Sequence, residues 1–484
     1  MVPRACQSHV RSRDRNLLFC HSMQTVTCFS WRLRRLVPLC GAFLLAIAPA
    51  WSQQAAPAPP ASTGGASSPE FLATADEVLH DMSQITGWTL KEPLKKSIRS
   101  REEIRAYVLA QMDNEKDAKE RYASARSAEA FGLIPKGFNL DAFLVDLLTE
   151  QIAGLYDPKV HEFYIADWIP PDEQRMVMSH ELTHALMDQQ FQIEPWAHAA
   201  RPNDDAELAR EAVLEGSAMA AMLDYALKDK GLKLRDLPEV DPSLFVGDLT
   251  DTPQLKKAPP FIKDSLMFPY FSGLTFSLTV LRADGWNGFA GVFAKPPAST
   301  QQIMHPALYR EGKAPAALKV DLPEGVPGGD WTKLEENSMG EFGWKEVLKQ
   351  FLDEDLAKRI AAGWDGDDYA TYEQAGSKRL ALFTRIRFTT EEGASQMFAE
   401  YSEALAKKYS ERRRVSRGEK SLSFDTADGA VFLRCSGREC VTIDGGEQEQ
   451  FARWVKRLGW PQNPPEPAGH GDPKAAEAQI QRAL

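Results

Sequence analysis

Cysteine is scarce in this chain of 484 residues, and four of its six cysteines lie within the first 40 residues. After residue 52 only Cys435 and Cys440 remain, between two runs whose β-branched and aromatic residues are typical of strands. A zinc site at this pair is disfavoured, because no second pair of cysteines accompanies it. We therefore predict a disulfide across a hairpin and, with it, an oxidising compartment.

A hydrophobic run long enough to cross a membrane is also lacking. The apolar stretch at residues 36–50 has only about 15 residues and contains prolines, whereas a spanning helix needs roughly 20. Three arginines precede this stretch and small residues end it, which is the pattern of a secretory signal. We predict a signal peptide at residues 1–52, no transmembrane span after its removal, and a secreted or periplasmic protein.

Positive charge is in short supply as well. The formal net charge of the whole chain is −11. Residues 1–52 carry seven arginines and one aspartate, so their removal leaves 50 Lys and Arg against 67 Asp and Glu, a net charge of −17. This excess of acidic groups argues against nucleic acid and acidic membranes as partners.

The sequence does contain one motif that indicates a metal site, His180-Glu181-x-x-His184. On a helix, residues four apart lie on the same face, so both imidazoles can converge on one cation with Glu181 beside it. Prolines and acids from residue 170 predict the start of such a helix, and apolar residues continue it to Phe191. Because a catalytic zinc takes three protein ligands and a water, the motif predicts a zinc hydrolase whose third ligand lies elsewhere.

The third ligand is expected farther along the chain. A third histidine at the spacing HExxHxxGxxH is excluded by the residues that follow His184. A second helix is predicted between residues 203 and 231, and it carries Glu211 and Glu215 on one face. One of them can bind the metal while the other orients a ligand histidine. His198, in a loop before that helix, is a weaker candidate.

These residues resemble the gluzincin superfamily of zinc metallopeptidases, the class of thermolysin and the aminopeptidase N group. In the latter the ligand glutamate lies in a Glu-Gly-x-Ala context, matched by residues 215–218, so the resemblance favours Glu215. The thermolysin-like pattern, with an acidic residue four positions later, would favour Glu211 instead. A closer resemblance, over about residues 95–375, is to uncharacterised secreted bacterial proteins with HELTHAL-x-D-Q followed by EG-x-A.

Two further candidates concern the oxyanion. The segment Phe268 to Phe276 is similar to the Pro-Tyr-x-x-Gly helix of aminopeptidase-like gluzincins, whose tyrosine hydroxyl stabilises the oxyanion. The resemblance implies that role for Tyr270, and a core tyrosine in an aromatic cluster is the alternative. His305 is a candidate second donor or substrate contact, with a structural role as its alternative. The Gly-x-Met-Glu-Asn element that binds a free α-amine in aminopeptidases has no counterpart near Gly154, so an endopeptidase is expected.

The predicted fold class is α+β. We expect a zincin-like core, with a small mixed sheet and active-site helices, inside a largely helical chain. A capping box at Ser100-x-x-Glu103 predicts the start of one helix in the region before that core. A small α+β module should follow the core. The predicted divisions are a signal peptide at 1–52, a flexible linker at 53–69, a helical region at 70–150, the catalytic core at 151–375, the C-terminal module at 376–460 and a tail at 461–484.

The predicted function is that of a secreted or periplasmic zinc metallopeptidase acting on a peptide or protein substrate. In such a site Zn²⁺ activates a water, and Glu181 acts as the general base and later protonates the leaving amine. Two alternatives remain, a non-catalytic zinc-binding protein of the cell envelope and a zinc amidase acting on cell-wall peptides. The intact Glu181 counts against the first of these. The oligomeric state is left open.

Overall fold

The computed structural model describes residues 68–113, 115–238 and 252–461, together with Ala42–Phe43. The rest of the predicted signal peptide, residues 53–67 of the predicted linker and the tail after Pro461 lie outside the described residues. The described part is a mixed α+β structure. Its helices are α1 (Pro69–Thr86), α2 (Arg101–Met112), α3 (Glu115–Phe131), α4 (Leu140–Gln151), α5 (Pro171–Phe191), α6 (Ile193–His198), α7 (Asp204–Leu227), α8 (Pro253–Lys257), α9 (Pro260–Asp284), α10 (Gly288–Ala294), α11 (Thr300–Met304), α12 (Pro306–Arg310), α13 (Gly340–Lys349), α14 (Glu354–Ala361), α15 (Glu391–Lys408) and α16 (Gln448–Arg457).

The strands fall into two sheets. They are β1 (Ala42–Phe43), β2 (Lys95–Arg99), β3 (Gly154–Asp157), β4 (Glu162–Ala166), β5 (Trp331–Asn337), β6 (Trp364–Gln374), β7 (Leu380–Phe388), β8 (Arg413–Arg417), β9 (Ser421–Thr426), β10 (Gly429–Ser436) and β11 (Glu439–Gly446). Within the described residues, no helix combines the length and the apolar character that a membrane span requires.

The smaller sheet is mixed and has the strand order β1-β3-β4-β2. Strands β3 and β4 form an antiparallel hairpin, while β2 pairs parallel to β4. Every residue of β3 is buried, because the strand lies against α5 on one side and within the sheet on the other. This sheet therefore forms one wall beside the HExxH helix.

Helix α5 carries the HExxH motif and runs through the centre of the described fold. Pro171 occupies its first turn with two acids, and Gln192, with a φ of 53°, ends it. The helix is buried continuously from Val177 to Asp188, since α1, α7 and the small sheet all pack on it. His180, Glu181 and His184 are consequently shielded from bulk water.

The N-terminal helical region is continuous with this core. Helix α1 packs directly on α5, and β2 supplies a strand to the small sheet. The side chain of Gln189, near the end of α5, accepts hydrogen bonds from the backbone N–H groups of Lys91 (2.5 Å) and Glu92 (2.8 Å). Residues from 69 to 99 thus hold α5, the HExxH helix, in place.

The larger sheet is antiparallel throughout and has the order β5-β6-β7-β11-β10-β9-β8. Cys435 and Cys440 face each other across the β10–β11 hairpin and form the disulfide that the sequence predicted. Because β5 and β6 pair with the strands that follow them, the predicted division at residues 375/376 falls inside this sheet.

A buried carboxyl group attaches the start of α7 to the segment before the large sheet. Oδ1 of Asp205 accepts hydrogen bonds from the backbone N–H (3.1 Å) and the hydroxyl (2.5 Å) of Thr300. Gly340, with a φ of 68°, approaches so closely that a Cβ would lie 1.7 Å from that oxygen. Burial raises the pKa of Asp205 to about 7 against the hydrogen bonds from Thr300, and the charges of Asp367 and Glu341 add to the rise.

We expect Asp205→Asn to remove a pH dependence of stability. A carboxyl group whose pKa rises on folding stabilises the fold below its pKa in the unfolded chain, about 4, and this contribution is lost as the pH rises through about 7. Between pH 5 and pH 8 the free energy of unfolding of the wild type should therefore fall by about 2 kcal/mol relative to that of the variant.

Urea unfolding at the two pH values measures this difference, and Asp229→Asn, at an exposed position, is the control that should show no change. An Asp205→Asn difference that is the same at pH 5 and pH 8 would contradict the assignment.

Candidate metal centre

Three ligand-type side chains from two helices converge at the centre of the fold. His180 and His184 come from α5 and Glu215 from α7, and one ligand atom of each lies within 4.8 Å of the others. The two Nε2 atoms are 2.8 Å apart, and Oε2 of Glu215 lies 3.4 Å from His180 and 3.3 Å from His184. All three residues have an exposed fraction of 1% or less.

This donor set fits a small divalent cation. Ligand atoms bound at about 2.0–2.1 Å to a tetrahedral ion lie roughly 3.3 Å from one another, close to the two carboxylate–imidazole distances. Two imidazole nitrogens and one carboxylate oxygen are also a ligand set of catalytic zinc. The same donors accept other divalent ions, so the geometry alone does not select zinc.

The protonation states favour cation binding. Burial lowers the pKa of His180 to about 3, which leaves the imidazole neutral and its lone pair available at neutral pH. Burial opposes ionisation of Glu215, but the adjacent imidazoles of His184 and His180 lower the pKa of this carboxyl group below its usual range. A neutral imidazole at His180 and an ionised carboxylate at Glu215 are the forms in which these groups bind a metal ion.

Of the two glutamates considered from the sequence, Glu215 reaches the histidines. Glu211 lies one turn earlier on α7, is equally buried, and is not among the three residues whose ligand atoms converge. His198 lies elsewhere, with Nε2 3.7 Å from Oε1 of Glu207. The geometry therefore favours Glu215 over both alternatives.

A glycine contact sets the relative position of α7 and α9. A Cβ on Gly216 would lie 2.0 Å from the carbonyl carbon of Gly273, and a Cβ on Gly273 would lie 2.1 Å from the carbonyl oxygen of Ala212. The two backbones can approach this closely only because both positions lack a side chain. Glu215 precedes Gly216 on α7 and Tyr270 lies three residues before Gly273 on α9, so the contact holds together the two helices that carry these side chains.

Tyr270 is fully buried next to the histidines. Its ring centroid is 6.4 Å from that of His180. His305, in contrast, is half-exposed at the junction of α11 and α12, where Nε2 lies 2.8 Å from Oε1 of Glu341. That hydrogen bond raises the pKa of His305. The structure thus brings Tyr270 to the cluster, whereas the polar contact of His305 is with Glu341.

Glu181 lies between the histidine pair and strand β3. Its Oε2 accepts a hydrogen bond of 2.9 Å from the backbone N–H of Tyr156, and its Oε1 has no hydrogen-bond partner among the described residues. A Cβ on Gly154 would lie 2.5 Å from Cγ1 of Val177 and 3.3 Å from Cγ of Glu181, so only glycine permits this approach of the strand. Burial, followed by the charge of Glu215, raises the pKa of Glu181 against the hydrogen bond from Tyr156.

Sequence reasoning missed two residues of this arrangement. Tyr156 contributes a backbone N–H group, which no side-chain pattern can reveal. Asp188 accepts a hydrogen bond of 2.8 Å from the hydroxyl of Tyr156. Its position in the motif HELTHAL-x-D-Q was a signal, but the sequence did not indicate which group it would contact.

Comparison with known proteins bears on a different part of the chain. Residues 331–454 match a family model described as Domain of unknown function (DUF8575). The match begins with β5 and ends within α16, so it covers the large antiparallel sheet and lies outside the His180, His184 and Glu215 cluster. Searches of the curated proteins and of the solved structures returned no match.

We expect Glu215→Gln to abolish tight metal binding and Glu211→Gln to retain it. Loss of a direct carboxylate ligand should weaken zinc binding by more than about 100-fold, whereas loss of a residue behind the ligands typically costs 10- to 100-fold or less. Competition with a chromogenic chelator measures both affinities. A larger loss in Glu211→Gln would reverse the ligand assignment.

We expect Gly216→Ala to destabilise the fold by about 3 kcal/mol, because the added methyl group overlaps the backbone of Gly273. Gly291→Ala is the matched control, since a Cβ at that helical position meets no atom within 4 Å. This control should be neutral or stabilising by up to about 1 kcal/mol. Thermal and urea unfolding compare the two variants, and equal stabilities would contradict the close contact between α7 and α9.

Proposed function

We propose that this protein is an exported zinc-dependent peptidase of the gluzincin type, in which His180, His184 and Glu215 hold the metal and Glu181 is the general base. The observation that carries the proposal is the convergence of two imidazoles and a carboxylate with Glu181 beside them. A purely structural metal site would have no use for a second carboxylate with an oxygen left open.

The metal supplies one part of the chemistry. When bound, Zn²⁺ lowers the pKa of a coordinated water to about 7 and polarises the carbonyl of the substrate. The choice of zinc rests on the donor set of two imidazoles and one carboxylate. The choice of a gluzincin-like fold rests on the mixed sheet beside α5 and on the ligand from a second helix, α7.

Glu181 supplies the proton transfers. Its Oε1 accepts a proton from the attacking water, so that an O–H bond of the water breaks as the carboxyl O–H bond forms. The same proton then passes to the nitrogen of the leaving amine, which restores the carboxylate. Burial raises the pKa of Glu181 and so brings it nearer the range in which a carboxylate can both accept and return a proton.

Tyr270 is proposed as the donor to the oxyanion. Its buried ring lies beside His180, on a helix whose distance from α7 the glycine contact fixes. A preorganised hydroxyl group that meets charge only in the transition state contributes about 3 kcal/mol in comparable sites. We assign His305 to no chemical step, because its hydrogen bond goes to Glu341.

Export and substrate class follow from separate observations. The Cys435–Cys440 disulfide supports an oxidising compartment, which agrees with a signal peptide at residues 1–52. The sequence lacks the aminopeptidase element that grips a free α-amine. An endopeptidase acting on extended peptides is therefore our proposal.

The test compares Glu181→Gln with the wild type. The variant should bind zinc with unchanged stoichiometry and lose peptide hydrolysis by about 1,000-fold, because it retains the ligands but has no base. Metal analysis and digestion of a peptide library followed by mass spectrometry provide both readouts. Glu392→Gln, on the exposed start of α15, is a control that should behave as wild type.

Two results would contradict the proposal. Hydrolysis retained in Glu181→Gln would show that another group is the base. Zinc bound by both proteins and cleavage by neither would favour the non-catalytic zinc-binding protein.

A further inference from the structure

Tyr156 is joined to the metal-binding helix at two points. Its backbone N–H donates to Oε2 of Glu181 (2.9 Å), and its hydroxyl donates to Oδ2 of Asp188 (2.8 Å). The two carboxylates are seven positions apart on α5, which corresponds to roughly 10 Å along the helix axis at 1.5 Å per residue. Since one residue of β3 spans two helical turns, the strand cannot slide along α5 without breaking one of these bonds.

Both attachments lie in the interior. Tyr156 and Glu181 are fully buried, and Asp188 is 6% exposed. The other oxygen of Asp188 accepts a hydrogen bond of 3.1 Å from the backbone N–H of Ile193, so the carboxylate that receives the phenol is itself held. Hydrogen bonds to a carboxylate in a buried setting are strong, and breaking one leaves a polar group unsatisfied.

A surface residue completes the cluster. Nδ1 of His161 lies 3.0 Å from the hydroxyl oxygen of Tyr156 and 3.5 Å from Oδ2 of Asp188. His161 is the last residue of the turn between β3 and β4, and its side chain is 42% exposed. The anchoring end of Tyr156 therefore lies toward the surface, whereas its backbone N–H points into the site.

The attachment distinguishes the two oxygens of Glu181. Oε2 is occupied by the N–H of Tyr156, and Oε1 has no hydrogen-bond partner among the described residues. If the backbone donor moved, the carboxylate could rotate and the two oxygens would exchange roles. A fixed donor thus keeps the same oxygen, Oε1, without a hydrogen-bond partner among the described residues.

We propose that Tyr156 and Asp188 are positioning residues for the general base: the phenol of Tyr156, anchored on Asp188, holds the backbone N–H of residue 156 on Oε2 of Glu181 and leaves Oε1 to take the proton. This inference rests on the proposed function of Glu181. The backbone N–H of Tyr156 contacts Glu181 directly, and Asp188 acts on that contact through the phenol of Tyr156.

A similar hydrogen bond at the next residue of β3 serves as the comparator for a merely structural role of Tyr156. Tyr107, from α2, donates its hydroxyl to Oδ2 of Asp157 (3.1 Å), which is the next residue of β3. This bond joins a phenol to a carboxylate of the same hairpin without reaching Glu181. If Tyr156 only stabilised the hairpin, Tyr107→Phe and Tyr156→Phe would have similar effects.

The first readout is amide hydrogen exchange at residue 156, resolved by mass spectrometry with fragmentation. Tyr156→Phe keeps the backbone N–H and the ring, and Asp188→Asn removes the charged anchor. Each should speed exchange at this amide about 10-fold, because the bond to Glu181 opens more often. Glu181→Ala, which removes the acceptor, gives the unprotected limit, and Tyr107→Phe should leave the rate at the wild-type value.

The second readout is steady-state kinetics on a peptide that the wild type cleaves. Tyr156→Phe should lower kcat about 10-fold, with KM and zinc content unchanged, as expected when a partner behind a reacting group is lost. The double variant with Asp188→Asn should be no slower than the slower single variant, because both substitutions break the same anchor.

The outcomes separate the two claims. Exchange and kcat at wild-type values in Tyr156→Phe, or equal losses in Tyr107→Phe, would overturn the positioning role. If the wild-type protein cleaves no peptide, the proposed function fails. The exchange rates still decide in that case whether Tyr156 and Asp188 hold Glu181, because they require neither substrate nor turnover.

Discussion

The burial of one carboxylate against two imidazoles is the constraint on which the rest of this structure depends. Transfer of an ionised group out of water costs several kcal/mol unless charge and hydrogen bonds compensate it. Glu215 is 1% exposed, and its nearest polar partners in the cluster are His180 and His184. A divalent cation bound by these three groups would offset that cost, so we expect the central packing of α5 and α7 to depend on metal binding.

The surrounding elements serve this cluster by restricting motion. Gly216 and Gly273 hold α7, which carries Glu215, against α9, which carries Tyr270, while Gly154 lets β3 lie against Glu181. In addition, α1 packs on α5, and Gln189 joins the loop before β2 to the same helix. The proposed chemistry needs such a frame, because a base and an oxyanion donor act only when their positions are preorganised.

The sequence predicted what is locally encoded. The four-residue spacing of His180 and His184, the prolines before α5 and the cysteine hairpin each involve neighbours in the chain, and the structure has these elements where they were expected. The choice between Glu211 and Glu215 depends on how α7 is rotated against α5. The sequence left that choice open, and a resemblance to known motifs was needed to favour one.

Contacts between residues far apart in the chain were harder to predict from the sequence. The pairing of β6 with β7 joins segments that the sequence assigned to separate units, because each strand pattern is local and its partner is not. The hydrogen bond from the backbone of Tyr156 to Glu181 was invisible for a different reason, since any residue could supply that N–H. Only the phenol of Tyr156 and the carboxylate of Asp188 leave a trace in the sequence.

The most direct measurement of the central claim is X-ray absorption at the zinc edge on the purified, zinc-loaded protein. The account predicts a first shell of nitrogen and oxygen atoms only, at about 2.0–2.1 Å, with the outer-shell scattering of two imidazole rings. A sulfur shell at about 2.3 Å, or a spectrum without two imidazoles, would contradict it.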